Sequence, residues 1–433
     1  MDKVEVVVVG GGLAGLATAL VLAEAGMEVL VVERGDYPGS KNVTGGRLYL
    51  EPVRAFLPPD LWDEAPFERQ VVRERLTVVA PESSVSVELT GERFRRERYS
   101  FTLLRASFDR WLAEQASARG ALIVPGYKVD RLLTEGTRVV GVRSGEADVQ
   151  AEVVVSAEGA LGFLAREAGL GARLEPRDYA LGLKEIIELP AERIEERFGL
   201  EKGQGAAQLF FGSLTEGMTG GGFLYTNKDS LSLGLVVGIR DLMRQADRDN
   251  AIEPHDMLEA FKGRAEVRAL IQGGRSVEYS AHAIVEGGLR AVGKLHRDGM
   301  LVVGDAAGFS QNLGITVRGM DFALASGAMA ARTILHARKV GDFSARTLEH
   351  YDKTLRESFV FRDLETFKRL PQFLENPRLF GVYPRMATSL LEQVFWIGEH
   401  PKERFSRAAL RTMRRHLSGK DVVQDLLAAL RAL

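Results

Sequence analysis

One stretch near the start narrows the possible folds more than any other. Val4 to Val9 reads Val-Glu-Val-Val-Val-Val, an almost continuous β-branched run. That is the pattern of a parallel strand buried on both faces. Gly10-Gly11-Gly12-Leu13-Ala14-Gly15 follows at once, and Ala19 adds a small residue one helical turn on. Gly10, Gly12 and Gly15 satisfy the G-x-G-x-x-G spacing. Gly10 makes the tight turn, Gly12 lets backbone approach a pyrophosphate, and Gly15 with Ala19 lets helix and sheet pack closely. The spacing predicts a helix over 14–26 whose positive N-terminal end points at the phosphates. A second strand, 28–32, ends in Glu33, 18 residues after Gly15, where a ribose diol needs an acceptor. Leu13, Ala14 and Arg34 complete the candidate contacts of this segment. The motif by itself does not separate FAD from NAD.

Two later segments bear on that choice. Val153-Val154-Val155-Ser156-Ala157-Glu158-Gly159-Ala160 is a buried strand ending in Ala-Glu-Gly. Leu301-Val302-Val303-Gly304-Asp305-Ala306-Ala307-Gly308 is another, ending in Gly-Asp and leading into an Ala/Gly-rich helix. The second strand delivers Asp305 to its carboxyl end, where a carboxylate can accept from a ribityl hydroxyl. The helix expected to follow would face the pyrophosphate or a flavin carbonyl. Order and spacing resemble the flavoprotein hydroxylase-like superfamily. Glu158 departs from its pattern, standing where Asp is usual, with one more methylene of reach. The resemblance places Arg105 near the FAD phosphates and makes Tyr127-Lys128-Val129 a short strand, with Val129 beside the adenine.

Three more segments narrow the resemblance: the polar loop Gly39-Ser40-Lys41-Asn42-Val43-Thr44-Gly45-Gly46-Arg47-Leu48-Tyr49, the run Glu278 to Gly288, and the continuation of the Gly-Asp segment through Asn312-Leu313-Gly314-Ile315-Thr316 to Asp321. Together these resemble the FixC-type branch of the electron-transfer-flavoprotein:quinone oxidoreductase family, from Val4 to about Ala331. The resemblance implies an FAD enzyme that takes electrons from an electron-transfer flavoprotein and passes them to a quinone, ubiquinone or menaquinone, at a membrane. Lys41, Asn42, Gly45 and Gly46 then belong at the flavin ring edge. Gly314, Ile315 and Thr316 would offer backbone N–H groups to its pyrimidine side, stabilising negative charge on the reduced ring. The flavin carries the chemistry, so no catalytic side chain is expected.

Composition adds exclusions. The 433 residues carry 57 Lys+Arg against 59 Asp+Glu, which argues against a general nucleic-acid binder. There is no Cys, so this chain alone holds no disulfide, catalytic thiol, thiolate zinc or iron–sulfur cluster. The seven His residues are scattered, and no metal site is expected. Larger members of the resembled family hold their own cysteine-ligated cluster. A separate small ferredoxin-like iron–sulfur protein is therefore expected as a partner.

The expected fold class is α/β: a Rossmann-like FAD-binding domain of hydroxylase-like flavoprotein type, an inserted antiparallel-sheet domain, and a helical C-terminal region. The FAD-binding segments are 1–50, 101–165 and 286–345. The insertions 51–100 and 166–285 should build a sheet over the flavin as the quinone or substrate domain. Segment 346–433 holds 16 basic and 11 acidic residues, so it is +5 while the remainder is −7. Two apolar stretches fit an interfacial anchor. One runs from Leu209 to Phe211 and from Gly217 to Tyr225, with Phe223 and Tyr225. The other is 380–396, ending in Phe395-Trp396, with seven Lys/Arg and one Glu over 402–420. No signal peptide or spanning segment is read, so a cytoplasmic protein peripherally attached to the inner face of the cell membrane is expected. The alternative is a geranylgeranyl-reductase-like isoprenoid reductase. Such enzymes typically show a Y-x-W-x-F-P segment, which the stretch from Gly220 to Asn227 lacks.

Overall fold

The computed structural model describes residues 2–41, 46–247, 251–399 and 401–432. Its first sheet runs in the order His296–Arg297, Met300–Val302, Ala147–Ser156, Asp2–Val9, Val29–Glu33, Leu122–Pro125. The last five of these are mutually parallel. Val6, Val7 and Val8 are all fully buried, as a strand covered on both faces requires. One face is covered by the helix Leu13–Glu24, with ten of its twelve residues buried. The long helix Met320–Val340 packs beside it.

That packing is unusually close. A Cβ on Gly327 would lie 2.1 Å from the Ala14 carbonyl oxygen. The Thr18 hydroxyl ties the pair, donating to the Ala14 carbonyl at 2.8 Å and to the Gly327 carbonyl at 3.1 Å. Gly10 takes φ +109° and a Cβ there would strike the Ala157 carbonyl oxygen at 2.3 Å. The turn after the first strand is thus a glycine requirement. Gly15 is equally constrained, by Gly10 O at 2.1 Å, so it serves helix–strand packing.

The second sheet has nine strands. Its main path is Arg275–Val285, Tyr179–Glu188, Ser230–Gly238, Gly220–Thr226, Gln204–Gly212, Gln70–Val79, Ser100–Thr102, Arg47–Tyr49. Ser84–Thr90 pairs with Gln70–Val79 at the side. Neighbours are antiparallel except one pair, Gln204–Gly212 with Gln70–Val79, which is parallel. The exception has a topological cause. Those two strands come from different excursions of the chain out of the first sheet, so no hairpin joins them. The back of this sheet is a separate core of Leu183, Leu231, Leu233, Leu235, Phe210 and Phe261, closed by the helices Ala191–Phe198, Pro254–Gly263 and Ala265–Ile271. Its front faces the carboxyl ends of the first sheet.

Residues beyond 345 are helical, from Ala345–Glu357 to Gly419–Ala432. The short helix Leu370–Leu374 reaches the gap between the sheets, and Val382–Phe395 packs on the second sheet, where Gly212 leaves room for Pro384.

Two expectations are corrected. Tyr127–Val129 is not a strand; the strand is Leu122–Pro125, and Gly126 with φ +81° turns the chain away from the sheet. Nor does a long helix follow Asp305 directly. Gly304–Ala307 makes one 3₁₀ turn, Gly308 ends it at φ +84°, a small hairpin pairs Gln311–Asn312 with Val317–Arg318, and the helix starts only at Met320.

Candidate functional site

A cavity of about 710 Å³ separates the two sheets. That is ample for a cofactor or drug-sized ligand. Gly10, Gly12, Leu13 and Ala14 form its floor at the start of the helix Leu13–Glu24. Gly12 caps that helix without any side-chain hydrogen bond, so the first N–H groups stay open to an anion. Glu33 stands beside them. Its carboxylate accepts from Gly11 N at 2.7 Å and from Gly35 N at 2.5 Å, and the side chain still lines the cavity. Arg34 and Lys41 are exposed at the mouth, and Gly46 and Val129 also line the wall. Asn42 and Gly45 lie outside the described residues.

Arg105 opens the helix Arg105–Ala118 and is not a solvated helix-start residue. Its guanidinium makes two 2.8 Å bonds to buried Asp109 and faces the cavity. Asp305 lies across from it. Burial raises the Asp305 carboxyl above the usual range, and the Arg105 charge partly opposes that.

Ala157, Glu158, Gly159 and Gly304 complete this end. Glu158 spends its extra methylene inward. It accepts from Ser156 Oγ at 2.7 Å and from the backbone N–H groups of Leu164 and Ala165 at 3.0 and 3.2 Å. It thereby caps the short helix Phe163–Glu167.

At the other end the hairpin 311–318 brings Gly314 to the wall. Ile315 and Thr316 do not line it. They form the hairpin's turn, where Thr316 O accepts from Leu313 N at 2.8 Å and Ile315 is 64% exposed. Arg318 is structural, paired with Asp321 and Asp363 and lying over the Phe322 and Phe359 rings.

Phe223 and Tyr225 stack in the front face of the second sheet with centroids 5.2 Å apart, and both line the cavity. A Cβ on Gly46 would strike the Tyr225 ring at 2.8 Å, which explains that glycine. The segments around them are cavity wall, not an outer anchor; Phe210 is buried in the back core. Phe395 and Trp396, by contrast, are 79% and 78% exposed at the end of the helix Val382–Phe395, away from the cavity.

The motif reading missed several wall residues. Lys184 is 4% exposed and lines the cavity, and its amine makes no hydrogen bond or ion pair among the described residues. Burial lowers it to about 8; Glu278 offsets this and Arg105 adds to it. The signal was present: a lone Lys inside the apolar strand Leu-Gly-Leu-Lys-Glu-Ile-Ile. Its neighbour His282 is lowered by burial, then by Arg105 and Arg34. Arg240, Arg290 and Glu375 form a charged cluster at the far rim, with Arg290 held by Asp178 at 2.7 Å and Arg240 by Glu375 at 3.0 Å.

Comparison with known proteins decides the assignment. The chain is 46% identical over 403 residues to the probable electron transfer flavoprotein-quinone oxidoreductase YdiS of Escherichia coli K12, covering 93% of this chain and 92% of that one. It is 44% identical to protein FixC of the same strain, covering 95% and 94%. The chain belongs to the electron-transfer-flavoprotein:quinone oxidoreductase/FixC family. Three family models match within it: an FAD-dependent oxidoreductase over 5–76, the ubiquinone-binding region of electron-transfer-flavoprotein:quinone oxidoreductase over 179–284, and the C-terminal domain of the oxidoreductase/FixC family over 370–433. The cofactor is FAD.

Among solved structures, a geranylgeranyl bacteriochlorophyll reductase-like protein of Thermoplasma acidophilum superposes with TM-score 0.73, covering 98% of this chain and 99% of that one at 21% identity. At that identity the likeness speaks for the fold alone. The FixC-family residues present fit FAD: an open helix N-terminus, a buried Arg and a buried Asp surround a cavity of suitable size. FAD supplies two-electron redox chemistry there.

Proposed function

We propose that this FixC-family chain is the FAD subunit that receives electrons from an electron-transfer flavoprotein, through a separate ferredoxin-like iron–sulfur protein, and passes them to ubiquinone or menaquinone at a membrane surface. The observation that carries this reading is the cavity itself. One end offers backbone suited to a phosphate, and the other is walled by Phe223, Tyr225 and further residues of the region matching the ubiquinone-binding model. Electrons can therefore cross between two groups held in one enclosure.

In this reading Gly10, Gly12, Leu13 and Ala14 hold the pyrophosphate. Glu33 accepts from the adenosine ribose, Arg105 neutralises phosphate charge, and Asp305 orients the ribityl chain. Gly46 and Gly314 border the ring. Each residue binds or orients; none moves electrons. The aromatic pair Phe223 and Tyr225 excludes water and offers flat apolar surface to a quinone head.

The zero-cysteine sequence supports the relay partner, because this chain has no thiolate to hold a cluster. The membrane contact is supported by an exposed apolar tip, Phe395-Trp396-Ile397, with Phe405 58% exposed nearby. Seven Lys and Arg within 402–420 accompany it. Among the described residues no helix is long and apolar enough to cross a membrane.

Anaerobic mixing with reduced electron-transfer flavoprotein tests the relay. Flavin reduction in this chain should be fast only when the small iron–sulfur protein is present. Equal rates without it would contradict the relay.

A further inference from the structure

Several acids of this interior face a cation. Asp109 faces Arg105, Asp178 faces Arg290, Asp321 faces Arg318 and Glu74 faces Arg47. Asp305 has the Arg105 charge across the cavity. Glu286 has none, and it has fewer hydrogen-bond donors than Glu33 or Glu158 on the same wall. It follows the strand Arg275–Val285, and its side chain lines the cavity. Its backbone is pinned: Glu286 N donates to the Asp178 carbonyl at 2.8 Å, and the Ser310 hydroxyl donates to the Val285 carbonyl. Its carboxyl has a single hydrogen-bond partner among the described residues, Asn312 Nδ2 at 3.3 Å, and no ion pair. Asn312 is itself fixed, accepting from Gly314 N at 2.8 Å on the hairpin that borders the proposed ring site.

The charged groups on the surrounding turns, helix and hairpin are paired with one another, Arg177 with Glu175 among them. His282 lies four residues before Glu286, on the strand Arg275–Val285. Asp178, ending the turn Pro176–Asp178, is taken by Arg290 of the turn Gly288–Ala291. Arg240 and Asp241 on the helix Ile239–Ala246 pair with Glu375 and with each other. Arg318 of the hairpin is taken by Asp321 and Asp363. Burial alone pushes the Glu286 carboxyl up to about 7, with the Asn312 amide opposing it. It therefore carries a transferable proton near neutrality.

We infer that Glu286 is a proton donor for quinone reduction, delivering to a quinone oxygen the proton that the flavin does not. The inference rests on the quinone reading above. A quinone becomes a quinol by taking two electrons and two protons. Reduced FAD, when bound in its singly protonated form, would supply two electrons and one proton. The second proton leaves Glu286: its carboxyl O–H bond breaks as a quinol O–H bond forms. Solvent entering the cavity mouth then reprotonates the carboxylate.

The test uses the photoreduced, FAD-loaded full chain in stopped flow. One acceptor is a short-chain ubiquinone; the other is ferricenium, which takes one electron and no proton. Wild-type reoxidation by the quinone should fall as pH rises through about 7. Glu286→Gln should be about 100-fold slower with quinone at pH 6. It should have no pH limb and keep its ferricenium rate. Glu286→Asp should restore the limb. Infrared spectra of the FAD-free protein at pH 6 should show a protonated-carboxyl band that shifts in D2O and is missing in Glu286→Gln. An unchanged quinone rate and pH profile in Glu286→Gln would overturn the inference, as would the missing wild-type band. Equal slowing with both acceptors would also overturn it, pointing to the flavin environment. Wild-type protein oxidised by ferricenium but not by quinone would instead overturn the quinone reading beneath it.

Discussion

Single residues show what the sequence displays and what it hides. Gly10 and Gly15 were readable because their reasons are local: a left-handed turn and a helix start pressed on a strand. Asp305 is readable from the strand that ends on it and Arg105 from the resemblance, and the structure adds their mutual field. Lys184 was not read, because its meaning depends on a cavity formed by segments far apart in the chain. It now carries a prediction. Burial holds the folded amine at about 8 against 10.5 for the free side chain. A base lowered on folding is fully tolerated above 10.5, and stability is lost progressively as pH falls to about 8. Below that the loss is constant. Lys184→Met should therefore make the FAD-free protein more stable at pH 7, by roughly 3–3.5 kcal/mol. The gap should close by about 1.4 kcal/mol per pH unit between pH 8 and 10.5. Chemical denaturation at several pH values measures it, and equal stability of both proteins at pH 7 would contradict the burial cost.

Elements were legible where their periodicity was strong. The first two strands and the helix between them fall within two residues of the expected bounds. The strand expected at 127–129 and the helix expected after Asp305 failed for a shared reason. Glycines at positive φ, Gly126 and Gly308, redirect the chain in places where the residue pattern continues smoothly. The parallel pairing of Gln204–Gly212 with Gln70–Val79 is tertiary and has no local signature. Nor has the contact between the helices Leu13–Glu24 and Met320–Val340, which depends on Gly327. Gly327→Ala would put a methyl 2.1 Å from the Ala14 carbonyl oxygen and 3.0 Å from Thr18 Oγ1. One helix must move, at a cost of about 2–3 kcal/mol. The helix Leu13–Glu24 begins at the proposed pyrophosphate site, so FAD retention should fall together with the denaturation midpoint. A variant that lost neither would show the approach to be unimportant.

At the scale of the whole molecule, the two sheets and the C-terminal helices share labour. The first sheet brings an open helix N-terminus to the cavity, the second offers the wall with Phe223 and Tyr225, and Pro371, Leu374 and Phe380 of the C-terminal region close one side of it. That region also carries the exposed tip at 395–397 and an excess of five positive charges over 346–433. A double variant, Phe395→Ser with Trp396→Ser, should cut flotation with anionic, quinone-containing vesicles at least tenfold while leaving FAD content unchanged. Undiminished flotation would move the membrane contact elsewhere. The absence of cysteine agrees with the proposed separate iron–sulfur partner. The central claim is that flavin and quinone share one enclosure. Photoreducing the FAD-loaded chain without oxygen and adding a short-chain quinone tests it most directly. The account predicts rapid return of the oxidised flavin spectrum with one quinol formed per flavin. A flavin that stays reduced in the presence of excess quinone would contradict it.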